Sequence, residues 1–184
     1  MEPLCNALHV RQSEKPKTGP FSWGYHKKTM ADQTIKSEND AARQALTQLV
    51  SALDQNSGSY SVSPTWTIAT TLCHLAFWDQ RALFLLKKWQ ADGRIETPRL
   101  DPASVDSINQ AVNLIALQVS GPAAGRLVLE CAAAVDALVA EIDDGVAGRM
   151  EAAGFGRYLR RSLHRNEHVR RVHHVLSAKT STTV

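Results

Sequence analysis

The sequence predicts an all-α protein, a bundle of four main helices with a broken third element. Three observations carry that prediction. Apolar residues recur at spacings of three and four along most of the chain, no segment alternates with period two, and turn residues cut the periodic stretches into helix-sized pieces. The 184 residues suffice for one ordinary domain. Hydrophobic residues at 43% and charged residues at 21% exclude a disordered or fibrous composition.

Met1–Thr29 is polar and interrupted by Pro3, Pro16, Gly19, Pro20 and Gly24, without a signal-peptide core. It is expected to be a disordered extension, with the folded unit running from Met30 to Ala178 and a short tail over 179–184. The protein starting at Met30 should therefore melt within a few degrees of the full chain; a drop of several degrees would show that the extension docks on the bundle.

Ser37-Glu38-Asn39-Asp40 reads as the start signal of the first helix, a Ser with an acidic residue three positions on. Ala42, Leu46, Leu49, Val50 and Leu53 then form one apolar stripe, ended by Asn56-Ser57-Gly58-Ser59. The second helix is expected from about Thr65 to Gln90. It is apolar in almost every direction and carries Trp66, Trp78 and Trp89, so other helices should surround it. Asp92-Gly93 through Pro102 reads as a loop. A third helix follows from Ala103 to Val119, with Val105, Ile108, Val112 and Ile115 on one face. Ser120-Gly121-Pro122 supplies an N-cap and an early proline for a helix to Ile142, with Leu127, Cys131, Ala134, Leu138 and Ile142 on its buried side. Asp143–Gly156, with four glycines, reads as loop, and the last helix runs from about Arg157 to Ala178.

The histidines are the main candidates for chemistry, because the carboxylates form no convincing pair. His9 and His26 fall in the extension, His74 falls midway along the second helix, and His164, His168, His173 and His174 fall on the last. Counting roughly 100° per residue from Phe155, Val169, Val172, Val175 and Leu176 span an arc of roughly 200° to 320°. His168 lies in that arc and His164 at its edge, whereas Glu167, Arg170, His173 and His174 fall on the solvent side. Two imidazoles four residues apart can clasp one ion from adjacent turns, and they can equally serve salt bridges. The pair is not a zincin motif, since Arg165 stands where the glutamate would be. His74, taken alone, reads as a hydrogen-bonded core histidine.

Taken together, these segments resemble the DinB-like superfamily. Trp66-Thr67-Ile68-Ala69 followed by Leu72-Cys73-His74-Leu75-Ala76-Phe77-Trp78-Asp79 is similar to that superfamily's second-helix signature, a tryptophan before a His-Leu-x-x-Trp-Asp/Glu run. Leu163-His164-Arg165-Asn166-Glu167-His168-Val169 resembles its last-helix motif, and Asn109 matches an asparagine early in the third element. The resemblance covers about Ala31 to Leu176. It implies a four-helix bundle with up-down-down-up connections and a divalent metal held by His74, His164 and His168, zinc or nickel being the best match to imidazoles. Three imidazoles leave positions open, as in a catalytic site. Known members include transferases and isomerases that use a low-molecular-weight thiol (mycothiol, bacillithiol or glutathione), among them maleylpyruvate isomerases, and some hydrolases. The implied function is thus a metal-assisted, thiol-dependent transferase or related enzyme acting on a small-molecule substrate, with no identifiable general base. A non-catalytic protein that binds or sequesters a small molecule in the same pocket is the alternative.

Smaller features bound the partners. Cys73 sits about 100° round the helix from His74 and should not share its ion. Trp78 reads first as core and second as a pocket wall. Asp79 and Arg81 read as a solvated face or an entrance. Arg157, Arg160, Arg161, Arg165, Arg170 and Arg171 form a basic strip, the sole feature favouring nucleic acid, without the aromatic interleaving such a surface uses. No apolar run reaches the roughly 18 residues of a membrane span. Cys5, Cys73 and Cys131, widely spaced, suit a reducing, cytoplasmic compartment. A homodimer is the expected assembly if the chain is not a monomer.

Overall fold

The computed structural model describes residues 30–96 and 99–181. The predicted extension, His9 and His26 included, lies outside them. Six α-helices occur among the described residues: α1 (Met30–Ser51), α2 (Ile68–Asp92), α3 (Pro102–Ala116), α4 (Gly121–Val139), α5 (Asp144–Ala152) and α6 (Arg161–Ser181), with short 3-10 turns at Ser57–Ser59 and Gly156–Tyr158. α1, α2, α4 and α6 form the bundle, and α3 packs along α2.

Side-chain and backbone contacts set the helix directions. The turn after α1 meets the start of α4 so closely that a Cβ on Gly58 would lie 2.6 Å from the Gly121 Cα. The Lys179 ammonium, near the end of α6, lies over the Tyr60 ring at that same end. α1 and α6 therefore run toward this end, and α2 and α4 run away from it. That is the up-down-down-up arrangement.

Local signals account for most boundaries. Thr67 caps α2 with a reciprocal box to Thr70, and Gly93 closes it at φ 65, a left-handed position that glycine adopts without a Cβ penalty. Asp101 and Ser120 cap α3 and α4, each with proline in the first turn. Two apolar clusters fill the bundle. One centres on Leu46, Leu72, Val128 and Val172, and the other on Leu86, Trp89, Val135 and Met150.

Five expectations need correction. α1 starts at Met30 and not at Ser37, so the supposed start signal lies inside the helix. Buried Asn39 serves a different helix, since its Nδ2 donates to the Leu159 carbonyl and its Oδ1 accepts from the Ser162 N–H, satisfying the start of α6. Residues 144–152 are helical because Asp143 caps them and Val146, Ala147 and Met150 bury against the second cluster. That burial outweighs the cost of about 1 kcal/mol for each interior glycine. α4 buries Ala124, Val128, Cys131, Ala132, Val135 and Val139, whereas Leu127 and Ala134 are exposed; small residues let it approach α2 closely. On α3, Ile115 is 74% exposed, and Asn113 and Ala116 take the inner face. Finally, α6 spans Arg161–Ser181, and not Arg157 to Ala178.

Candidate functional site

The site begins with α2, where His74, Trp78 and Arg81 follow one another at i, i+4 and i+7 on one face. α6 is set against them by a buried ion network. Asp79, fully buried, accepts from Arg161 Nε at 2.8 Å and from Arg165 Nε at 2.9 Å. Arg165, also fully buried, donates from Nη1 to both oxygens of Asp136 on α4 at 2.8 and 2.9 Å. Arg43 of α1 reaches the same carboxylate at 3.2 Å. Burial pushes the Asp136 carboxyl above its usual range, against the pull of the Arg165 hydrogen bond. Four helices thus meet at two carboxylates, and the residues flanking His164 are locked in register with α2.

These anchors bring the three predicted histidines together. The ring centroids of His74, His164 and His168 form a near-equilateral triangle with sides of 5.0, 4.8 and 4.9 Å. One donor nitrogen from each lies within 4.8 Å of the others. His74 Nε2 and His164 Nε2 are 3.0 Å apart. Two nitrogens bonded to one ion at about 2.0–2.1 Å sit roughly 3.0–3.4 Å from each other, so the spacing suits shared coordination. The buried Nδ1 atoms of His74 and His164 have no hydrogen-bond partner among the described residues. Among the described residues the donor set is three imidazoles and no thiolate: Cys73 is buried away from the cluster, and burial raises its thiol pKa.

Electrostatics keeps these rings uncharged. Burial pushes His74 down to about 3, with help from His168, Arg161 and Arg171. Burial likewise pushes His164 down to about 2, with Arg161 and His168 adding to it. His168 is lowered chiefly by burial, and then by Arg171, with Glu167 opposing. At neutral pH all three present lone pairs, the form a metal requires.

Above the triangle opens a cleft of about 700 Å³. Trp78 is half-buried and forms its wall, contrary to the core reading; its Nε1 donates to Asn109 Oδ1 at 3.0 Å. Trp66 meets the His74 ring edge-on at 5.3 Å. Arg81 reaches across to Tyr158, whose hydroxyl accepts from its Nη1 at 2.9 Å, so Arg81 lines the entrance, the second of its two sequence readings. Asp79 does the opposite of its expectation and belongs to the buried network. Sequence reasoning does not find Tyr158 and Arg99; both come from connecting segments whose proximity to α2 no spacing reveals.

The basic strip is dispersed. Arg161 and Arg165 are 5% and 0% exposed, Arg160 pairs with Glu38 and Glu151, and Arg171 pairs with Glu167. His173 and His174 are exposed on the far face of α6, as the helical phase predicts. The double change His173→Ala, His174→Ala should leave metal stoichiometry and affinity unchanged in isothermal titration. Loss of the ion there, with retention in His164→Ala, would place the site on the wrong face.

Fold and site together define a helical bundle with a three-histidine centre at the floor of an open cleft. The chain belongs to the DinB superfamily, whose family model matches residues 38–175. No curated protein and no solved structure matches it significantly.

Proposed function

We propose that His74, His164 and His168 hold one divalent ion, zinc or nickel, and that the protein is a metal-assisted enzyme acting on a small molecule with a low-molecular-weight thiol as co-substrate. The observation that carries this reading is the triangle of neutral imidazoles opening on the cleft. Three donors leave coordination positions free toward that cleft, as catalytic sites do and structural four-ligand sites do not. A bound ion would supply Lewis acidity that makes a thiol or water nucleophilic at neutral pH.

The chain's own residues have separable parts in this. The histidines offer lone pairs without first releasing protons. Trp78 and Tyr158 give the cleft apolar walls against which a small molecule can lie. The Asp79 network keeps α6 in register with α2. Glu167 is the one carboxylate residue in the lining among the described residues, and Arg171 holds it, so the reading assigns no general base.

The proposed working unit is the bundle over residues 30–178, in a reducing, cytoplasmic compartment where Cys73 and Cys131 stay as buried thiols. Among the described residues no helix is long and apolar enough to cross a membrane. A homodimer would have exposed Leu114, Ile115, Leu117 and Leu127 to bury. The test is titration of tag-free, full-length protein with zinc, where about one ion per chain is expected. Failure to take up zinc or nickel would overturn the reading, and uptake without turnover of any thiol and electrophile pair would favour the sequestering alternative.

A further inference from the structure

The cleft carries more positive charge than its own carboxylates neutralise. Arg160 and Arg171 in its lining are paired with glutamates, and Arg161 is tied to Asp79 beneath the floor. Arg81, Arg99 and Arg157 also line it, and none of them has a carboxylate partner among the described residues. Arg99 is spent on the Ala153 carbonyl at 2.9 Å, outside any ion pair. Arg81 is held in place: its guanidinium carbon lies 5.5 Å from the Trp78 ring centroid and 6.0 Å from that of Tyr158, and one nitrogen is fixed by the Tyr158 hydroxyl. Aromatic faces and a neutral hydroxyl orient a guanidinium without cancelling its charge. Only Trp78 separates it from His74 along the α2 face.

We propose that the small molecule bound in this cleft carries an anionic group, a carboxylate or a phosphate, received by the fork of Arg81 together with Arg157, while the rest of the molecule lies along Trp78 toward the histidines. Arginine suits this because its planar donors match either oxyanion in a bidentate manner. The rigid aromatic seat also lessens the entropy lost when the ligand binds. The assignment rests on the reading of the cleft as the substrate site and is independent of which metal the histidines hold.

The test uses full-length protein, both chelator-treated and zinc-loaded. The probes are phenyl phosphate and benzoate, set against the uncharged benzamide and benzyl alcohol. Binding is read by tryptophan fluorescence and by calorimetry, and zinc per chain is measured on the same samples. In chelator-treated protein at least one of the anions should bind about tenfold or more tighter than its neutral counterparts, and the stronger of the two identifies the group. Arg81→Gln and Arg157→Gln should each remove about tenfold of that preference and leave zinc content unchanged, whereas exposed Arg170→Gln should change neither. Equal binding of anionic and neutral probes, an anion preference seen only with zinc, or an equal loss in Arg170→Gln would overturn the proposal. If Arg81→Gln lowers the melting temperature sharply, Arg157→Gln decides the matter, because its side chain is exposed. Zinc uptake without anion preference would sink this assignment alone, and anion preference without zinc uptake would sink only the metal reading.

Discussion

Replacing Asp79 by asparagine is expected to lower the melting temperature by about 10 °C. The carboxylate is fully buried and balances two buried guanidiniums, Arg161 and Arg165. Removing one partner of a buried ion pair strands the other, at about 3–5 kcal/mol. In a chain of this size each kcal/mol moves the melting temperature by roughly 2–4 °C. The double variant Asp79→Asn, Arg161→Met should recover part of the loss, because Asp79 is the one carboxylate that Arg161 meets among the described residues, whereas Arg165 keeps Asp136. Calorimetric melts of the single and double variants check this, and a shift under about 2 °C for Asp79→Asn would mean that the network contributes little. The same variant should weaken zinc binding by about tenfold, in the range seen for groups that orient metal ligands, since Arg161 and Arg165 flank His164 on α6.

The second large effect falls on the histidines. His74→Ala, His164→Ala and His168→Ala should each lower zinc affinity by more than about 100-fold, exceeding the usual effect of groups one shell further out. Competition against a chelating dye measures this. On acidification below about pH 6.5 the metal-free variants should lose less stability than the metal-free unaltered protein, because each change removes a ring that stays neutral in the fold and takes up a proton on unfolding. His74→Ala binding zinc as tightly as the unaltered protein would remove α2 from the site.

How much of the fold and site is legible in the sequence depends on whether residue type and helical phase agree. Ser120 with Pro122, and Gly93 after Asp92, mark their boundaries because capping and left-handed positions select few residues. The phase of α6 correctly separates inward His164 and His168 from outward His173 and His174. The same count places Arg161 and Arg165 near 240° and 280°, inside the apolar arc. Grouping them into a basic strip lets the usual exposure of arginine override the phase, and it hides the network that holds the site. Asn39 misleads because a side chain able to cap its own helix can also cap another one far along the chain. α4 is apolar on several sides, so its period does not single out the face built on Ala124, Ala132 and Val135. The cleft is out of reach, since Arg81, Arg99 and Tyr158 come from separate elements and only the packed bundle brings them together.

The central claim is that three imidazoles form an open metal centre. X-ray absorption at the zinc edge on tag-free, full-length protein loaded with one equivalent tests it most directly. The account predicts about three nitrogen scatterers near 2.0–2.1 Å with the outer-shell pattern of imidazole, light oxygen or nitrogen donors in the remaining positions, and no sulfur. In His74→Ala the imidazole count should fall by one. A sulfur scatterer near 2.3 Å, or an imidazole count unchanged in His74→Ala, would contradict it.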